Sequence, residues 1–385
     1  MSPLSHLGPR RPLVIAMLVQ YSAGGAIMPF LALFLRERGL AMSQVSLVVM
    51  AGSCALMISP LFWGMLADRF VPVNHLLKAI NLLAAAALVV FAFQHTFWGL
   101  ATAFTCFYAC YQPAPFLVCS LCLRHVPDPF RHFASLRAWG SLGWLVPSLA
   151  VFLWMALGRG QDFSLLPWLS ATVFVAMAIY ARWLPHTPPG AAPHAGVGSQ
   201  LSYGAATRRL LHNRNYLVLL VSYFFVAASF SILFFYSPPR MVDAGLPARW
   251  VGPVQIYSIV AEVVLLQWQA HIGQRIGYHR MVVLGCLMLV ARQAIYVWSD
   301  NLWLLTSSYA LVGVTVVFYH IGVSVLAEDI AGPEVKATAQ TLLVLCSSGL
   351  GPIAGNLAVN RLARGPSADL HRVFFWGMAS AAVAA

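Results

Sequence analysis

Long apolar stretches recur from one end of this chain to the other, and they constrain its fold more than any other feature. A helix needs roughly 20 mostly apolar residues to cross a bilayer, because lipid offers no hydrogen-bond partner to an open backbone. Twelve stretches meet that measure: 12–35, 43–66, 74–94, 97–122, 132–157, 163–184, 215–237, 248–272, 279–298, 302–327, 335–362 and 369–385. The first runs on through Phe30 and Leu35, too long for a cleavable signal peptide. Charge is correspondingly scarce: of 385 residues 60% are hydrophobic and only 9% charged, against about 25% charged in a soluble domain. So few charges cannot cover so much apolar surface in water. That excludes an ordinary cytoplasmic enzyme, a disordered chain and a nucleic-acid binder.

The longest polar break, PHTPPGAAPHAGVGSQLSYGAATRRLLHNRN, divides the spans six plus six. Its Pro, Gly and small residues read as a flexible linker ending in a short basic surface helix. The pattern predicts an all-α membrane protein of twelve transmembrane helices. An N-terminal six-helix bundle covers 1–184, a cytoplasmic linker 185–214, and a C-terminal six-helix bundle 215–385. With the N-terminus inside, basic residues favour the inner segments by 13 to 8, the bias of a multi-pass protein with both termini cytoplasmic. The net charge of +12 then suits an inner (plasma) membrane with anionic lipid.

Ionisable groups inside the spans carry the functional signal. Among the 23 basic and 11 acidic residues only Arg137, Arg292 and Glu262 lie five or more residues from both ends of a span. Each such charge costs about 2.5–3.5 kcal/mol at bilayer depth and needs a protein-lined or water-filled cavity. Glu262 is central in VQIYSIVAEVVLLQWQ, and its short stem cannot reach the headgroups as a long basic side chain does. Arg292 lies in the following span and His320 in the one after, within VVFYHIGVSV. Low dielectric favours the protonated form of a carboxyl, and a nearby cation the ionised form. Glu262, Arg292 and His320 therefore read as a proton-coupling set, with a neutral core histidine as the alternative for His320. Arg137, Ser141 and Trp144 are spaced i, i+4, i+7 and share a helical face. Forked donors, a hydroxyl and a flat ring suit a planar polar ligand such as a sugar ring or a base. The alternatives are a snorkelling Arg137 and a lipid-facing Trp144.

The seven cysteines all lie in apolar stretches and read as buried free thiols. Cys106/Cys110 and Cys119/Cys122 have helical spacing but no intramembrane His or carboxylate beside them, so no metal is expected. There is no phosphate-cradling GxxxxGK segment and no cofactor signature. An embedded enzyme would need a convergent nucleophile, metal or acid/base pair, and a sensor a signalling domain. The residues instead predict a secondary transporter that is no enzyme. It takes a small-molecule substrate and a proton, sits in lipid as a monomer, and binds no nucleic acid.

The segment GMLADRF after the second span, with Gly64, Asp68 and Arg69, resembles the gating loop of the major facilitator superfamily, as do the six-plus-six spans and the linker. The loop continues FVPVNHLLK, where the family pattern has a glycine and a basic cluster. Within that superfamily the chain resembles the proton symporters of nucleosides, of lactose-type sugars and of phenylpropionate. RAWGSLGW at 137–144 is similar to a segment of all three, LPHTPP at 184–189 to the nucleoside symporters, and KATAQTLL at 336–343 to the nucleoside and phenylpropionate symporters. The resemblance implies two bundles related by a pseudo-two-fold axis along the membrane normal, a cavity near the midplane, and substrate contacts from Arg137, Ser141 and Trp144. Ser231, Phe234, Ile259 and Val317 stand where nucleoside symporters carry other polar or acidic groups. Cys119 and Val323 stand where lactose permease has carboxylates. Nucleosides are the leading substrate, with sugars or small aromatic acids as alternatives.

Overall fold

The structure, a computed structural model, describes residues 11–125, 129–158, 162–189, 203–332, 334–364 and 370–385. Residues 190–202 of the expected linker lie outside them. Among the described residues all regular structure is helical. The first half contains α1 (Arg11–Gly25), α2 (Leu31–Glu37), α3 (Met42–Ala55), α4 (Ser59–Arg69), α5 (Val73–Phe93), α6 (Phe97–Tyr111), α7 (Pro113–His125), α8 (Pro129–Ala156) and α9 (Leu165–Tyr180). After the break come α10 (Tyr203–His212), α11 (Arg214–Asp243), α12 (Val251–Val254), α13 (Ile256–Ile276), α14 (Tyr278–Trp298), α15 (Leu302–Ser307) and α16 (Tyr309–Thr315). Then follow α17 (Gly322–Ala331), α18 (Lys336–Val344), α19 (Gly351–Leu362) and α20 (Leu370–Ala384). The short helix α10 is the basic helix expected at the linker's end, and Arg209 on it pairs with Glu334 at 2.6 Å.

Several spans are broken helices. A 3-10 turn at Met28–Phe30, with Pro29 in it, joins α1 to α2. Elsewhere proline sits within an unbroken helix, Pro147 in α8 and Pro238 and Pro239 in α11. Such breaks and prolines are tolerated where neighbouring helices and hydroxyls satisfy the freed backbone groups. Merged across the breaks, eleven helices among the described residues are long and apolar enough to cross a membrane. The twelfth expected span is α20, of 15 residues, so the count of twelve is approximate.

The chain divides into two compact units, Met1–Leu31 with Ile58–Ala195, and Ala32–Met57 with Gly196–Ala385. In the first, α1 packs on α8 and α9, and α5 on α6 and α9. The α1–α8 contact is backbone to backbone: a Cβ on Gly25 would strike the Trp144 carbonyl, and one on Gly143 the Leu18 carbonyl. Small residues allow this approach, and hydroxyls fasten it. Ser22 Oγ donates to the Gly143 carbonyl at 2.7 Å, and Ser170 Oγ to that of Ala23 at 2.6 Å.

In the second unit α11 packs on α19 and α20, α14 on α16 and α20, and α13 on α16. Residues Ala32–Met57, expected in the N-terminal bundle, group with this unit for definite reasons. The helix α3 runs along α19, Asn360 Nδ2 donates to the Ser43 carbonyl at 2.9 Å, and Arg36 pairs with Asp243 at 2.9 Å. Exposed Leu61, Leu153, Val218 and Val264 suit acyl chains, while Trp98, Trp298 and Trp303 sit exposed at helix ends, where indoles favour the headgroup level. All seven thiols are free, but only Cys122, Cys286 and Cys346 are buried as expected; Cys110 and Cys119 are half-buried, and Cys54 and Cys106 are exposed. Apolar surroundings in a membrane protein need not be protein, and the two exposed thiols lie on helix surfaces that suit lipid.

Candidate functional site

The substrate face expected on α8 forms in part by direct contact. Arg137 Nη1 donates to Ser141 Oγ one turn on, at 3.1 Å. The guanidinium lies over the ring of Tyr21 on α1, 4.6 Å from its centroid. Tyr21 in turn brings its hydroxyl to 3.8 Å from Cys119 Sγ on α7. Ser141 is buried, whereas Arg137 and Trp144 are half-buried. Trp144 occupies the next turn, its carbonyl facing Gly25. The arginine is thus held by one edge and one face while part of it stays accessible. A guanidinium so fixed loses little entropy when it meets a ligand.

The three residues expected to couple protons occupy distinct settings in the second unit. Arg292, 3% exposed, lies over two tyrosine rings, 4.3 Å from the centroid of Tyr309 and 5.3 Å from that of Tyr296. Its Nη2 reaches Ser237 Oγ on α11 at 3.4 Å, and Ser237 Oγ lies 3.0 Å from the Tyr309 hydroxyl. Its Nε is buried without a hydrogen-bond partner among the described residues. His320 lies in a π-helical turn, Val316–Ile321, with Nδ1 2.8 Å from the Tyr223 hydroxyl and its ring against Phe230. Such wide turns often mark functional positions in helices.

Glu262 is half-buried on α13. Its helix is held against α16 at Gly313, where a Cβ would come within 2.7 Å of the Glu262 amide nitrogen. Among the described residues neither Arg292 nor His320 forms an ion pair or hydrogen bond with Glu262 or with the other. The three share α13, α14 and the α16 region without forming one bonded cluster.

A family model described as nucleoside H+ symporter matches residues 10–385. The chain belongs to the nucleoside H+ symporter family. YegT of Escherichia coli is 26% identical over 352 residues, 88% of this chain and 81% of that protein. The maltose permease of Geobacillus stearothermophilus is 26% identical over 337 residues, 86% of this chain and 82% of that protein. Two crystal structures of the nucleoside transporter NupG match with TM-scores of 0.86 and 0.81 at 16% and 18% identity, each comparison covering 97% of both chains. At that identity they show the fold, that of the major facilitator superfamily. As a member of the symporter family this chain is a multi-pass secondary transporter that couples nucleoside movement to protons.

The loop residues of this family member behave unevenly. Asp68 is exposed and lies 3.7 Å from Arg124 Nη2 at the end of α7, an ion pair within its own unit. Arg69 is exposed. At Gly64 a Cβ would meet no atom of the described residues within 4 Å.

Sequence reasoning missed the aromatic supports: Tyr21 under Arg137, Tyr296 and Tyr309 around Arg292, and Tyr223 on His320. The available signal was a tyrosine within an apolar span, where a phenol needs a partner. Pairing each with its charged residue required knowing which helices touch.

Proposed function

We propose that nucleosides bind at Arg137, Ser141 and Trp144, and that Glu262 carries the proton while Arg292 and His320 govern when it is held. The observation that carries this reading is the two-point fixing of Arg137, by Ser141 at 3.1 Å and by the Tyr21 ring at 4.6 Å, at a half-buried position. Nucleosides present ribose hydroxyls and, on the base, carbonyl or ring-nitrogen acceptors that match a guanidinium edge, and a planar base that matches an indole. Glu262 is the sole carboxylate deep in a predicted span, which makes it the natural proton carrier. The protein acts as a monomer in the inner membrane, with both termini and the linker cytoplasmic. The residues Gly64, Asp68 and Arg69 gate movement between inward- and outward-facing states of bundles 1–184 and 215–385. It moves its substrate without transforming it.

The test is uptake of labelled uridine and adenosine into cells expressing the protein, with and without an uncoupler. Accumulation above the outside concentration should appear for nucleosides and collapse with the uncoupler. Lactose, maltose and phenylpropionate should neither accumulate nor compete. Uncoupler-insensitive accumulation, or a sugar as the transported solute, would overturn the reading.

A further inference from the structure

We infer that Tyr21 is the positioning residue for Arg137, and that Gly140 is glycine to make room for it. The inference rests on Arg137 as substrate anchor and adds what aims it. The ring of Tyr21 takes one face of the guanidinium at 4.6 Å, and its hydroxyl lies 3.8 Å from Cys119 on a third helix. A cation over an aromatic face is held electrostatically and by contact, more strongly where water is scarce. With one face covered and Nη1 bonded to Ser141, the guanidinium plane is held in one orientation, so its N–H edge points in a fixed direction. Edge donors select acceptors such as the hydroxyls of a ribose and the carbonyl or ring-nitrogen acceptors of a base.

The place of Tyr21 is set by bare backbone. A Cβ at Gly140 would lie 2.9, 3.1 and 3.2 Å from three carbons of the Tyr21 ring. What it would strike is that ring, so the cost of a methyl at 140 falls on the platform under Arg137. Gly143, one turn further on α8, differs: a Cβ there would strike the Leu18 carbonyl, which is backbone and cannot swing aside. Two glycines three residues apart on one helix thus have separable roles, one seating a side chain and one setting helix spacing.

A double-mutant cycle on uridine transport separates these roles. Tyr21→Ala should raise KM about tenfold with a much smaller change in Vmax, between the scales of an exposed and a desolvated cation–π contact. Tyr21→Phe should recover most of that loss, because the ring remains. Gly140→Ala should raise KM similarly in the native background and add nothing once Tyr21 is alanine. Gly143→Ala should impair expression and thermal stability in both backgrounds. Should Tyr21→Ala fail to fold, Tyr21→Leu keeps the bulk without the π face and should show the same KM signature. An equal effect of Gly140→Ala in both backgrounds, or an unchanged KM in Tyr21→Ala and Tyr21→Leu, overturns the inference. Arg137→Ala is measured alongside. An unchanged KM there would defeat the assignment of Arg137 itself, whereas a raised KM there with silent Tyr21 variants would defeat only the role of Tyr21.

Discussion

Arg137 and Arg292 are the two arginines that the sequence places deep in spans, one in each compact unit, and both lie over tyrosine. Their settings otherwise diverge. Arg137 is half-buried, bonded to a serine on its own helix and supported by one ring. Arg292 is 3% exposed, enclosed by two rings, with a long bond to Ser237 and a buried Nε lacking a hydrogen-bond partner among the described residues. The first arrangement keeps a charge reachable. The second keeps a charge from water at a cost that two ring faces and one hydroxyl offset only in part. The contrast teaches that depth in a span, which the sequence reveals, does not distinguish a cation left reachable from one enclosed by its own protein.

The largest expected effects break the comparison at the level of transport. Arg137→Ala should raise KM for uridine by about 100-fold, as expected if two charge-assisted hydrogen bonds are lost. Both uphill accumulation and exchange of bound for external nucleoside should then fail at low substrate. Glu262→Gln should abolish uphill accumulation yet preserve exchange, since the binding face is intact. Counterflow in proteoliposomes, with and without a proton gradient, measures both quantities. Gradient-driven concentration in Glu262→Gln would mean that the proton rides elsewhere.

A smaller effect sharpens the comparison at the level of stability. Replacing a buried ion pair by apolar side chains is often neutral or stabilising, by about 1–4 kcal/mol, and Arg292 has no ion-pair partner among the described residues to leave stranded. Arg292→Leu should therefore raise the thermal midpoint of the purified protein while lowering proton-driven transport. Arg137→Leu, at a half-buried site, should shift the midpoint less. A large drop in midpoint for Arg292→Leu would show that Tyr296, Tyr309 and Ser237 compensate the charge fully.

How far each site was legible follows from what kind of contact builds it. Spans, linker and the pairing of Arg137 with Ser141 are local in sequence, set by apolar runs and by one helical turn. The bond is seen where the i, i+4 spacing placed it. Tyr21 lies 116 positions before Arg137, and Tyr223 lies 97 before His320, so only helix packing brings these pairs together. The grouping of α3 with α19 was illegible for the same reason. It arises from Asn360 and Ser43, which no spacing rule connects. Glu262, Arg292 and His320 stood out because charge in an apolar run is rare, but rarity says nothing of mutual distance.

The smallest effect uses a third arginine, which is buried like Arg292 yet has a carboxylate. Arg240, near the end of α11, is 6% exposed and pairs through Nη2 with Asp300, in the turn between α14 and α15. The same Nη2 reaches the Ser299 carbonyl and His371 Nε2, each at 3.4 Å. The bond from Arg240 and then its charge hold the Asp300 carboxyl below the usual carboxylate range. A folded-state pKa below the unfolded value of about 3.9 fixes the sign. The pair's contribution is complete above about pH 4 and fades as pH falls through the folded value. Asp300 is fully exposed, so solvent screens the pair and the effect is small. Thermal midpoints of the native protein and Asp300→Asn, followed from about pH 7 down to about pH 3, should differ near neutrality and converge at the acid end. A constant gap across that range would assign Asp300 a packing role instead. Convergence would show that a buried arginine with a carboxylate makes stability depend on acid, a dependence that Arg292, with no carboxylate bonded to it among the described residues, should not share.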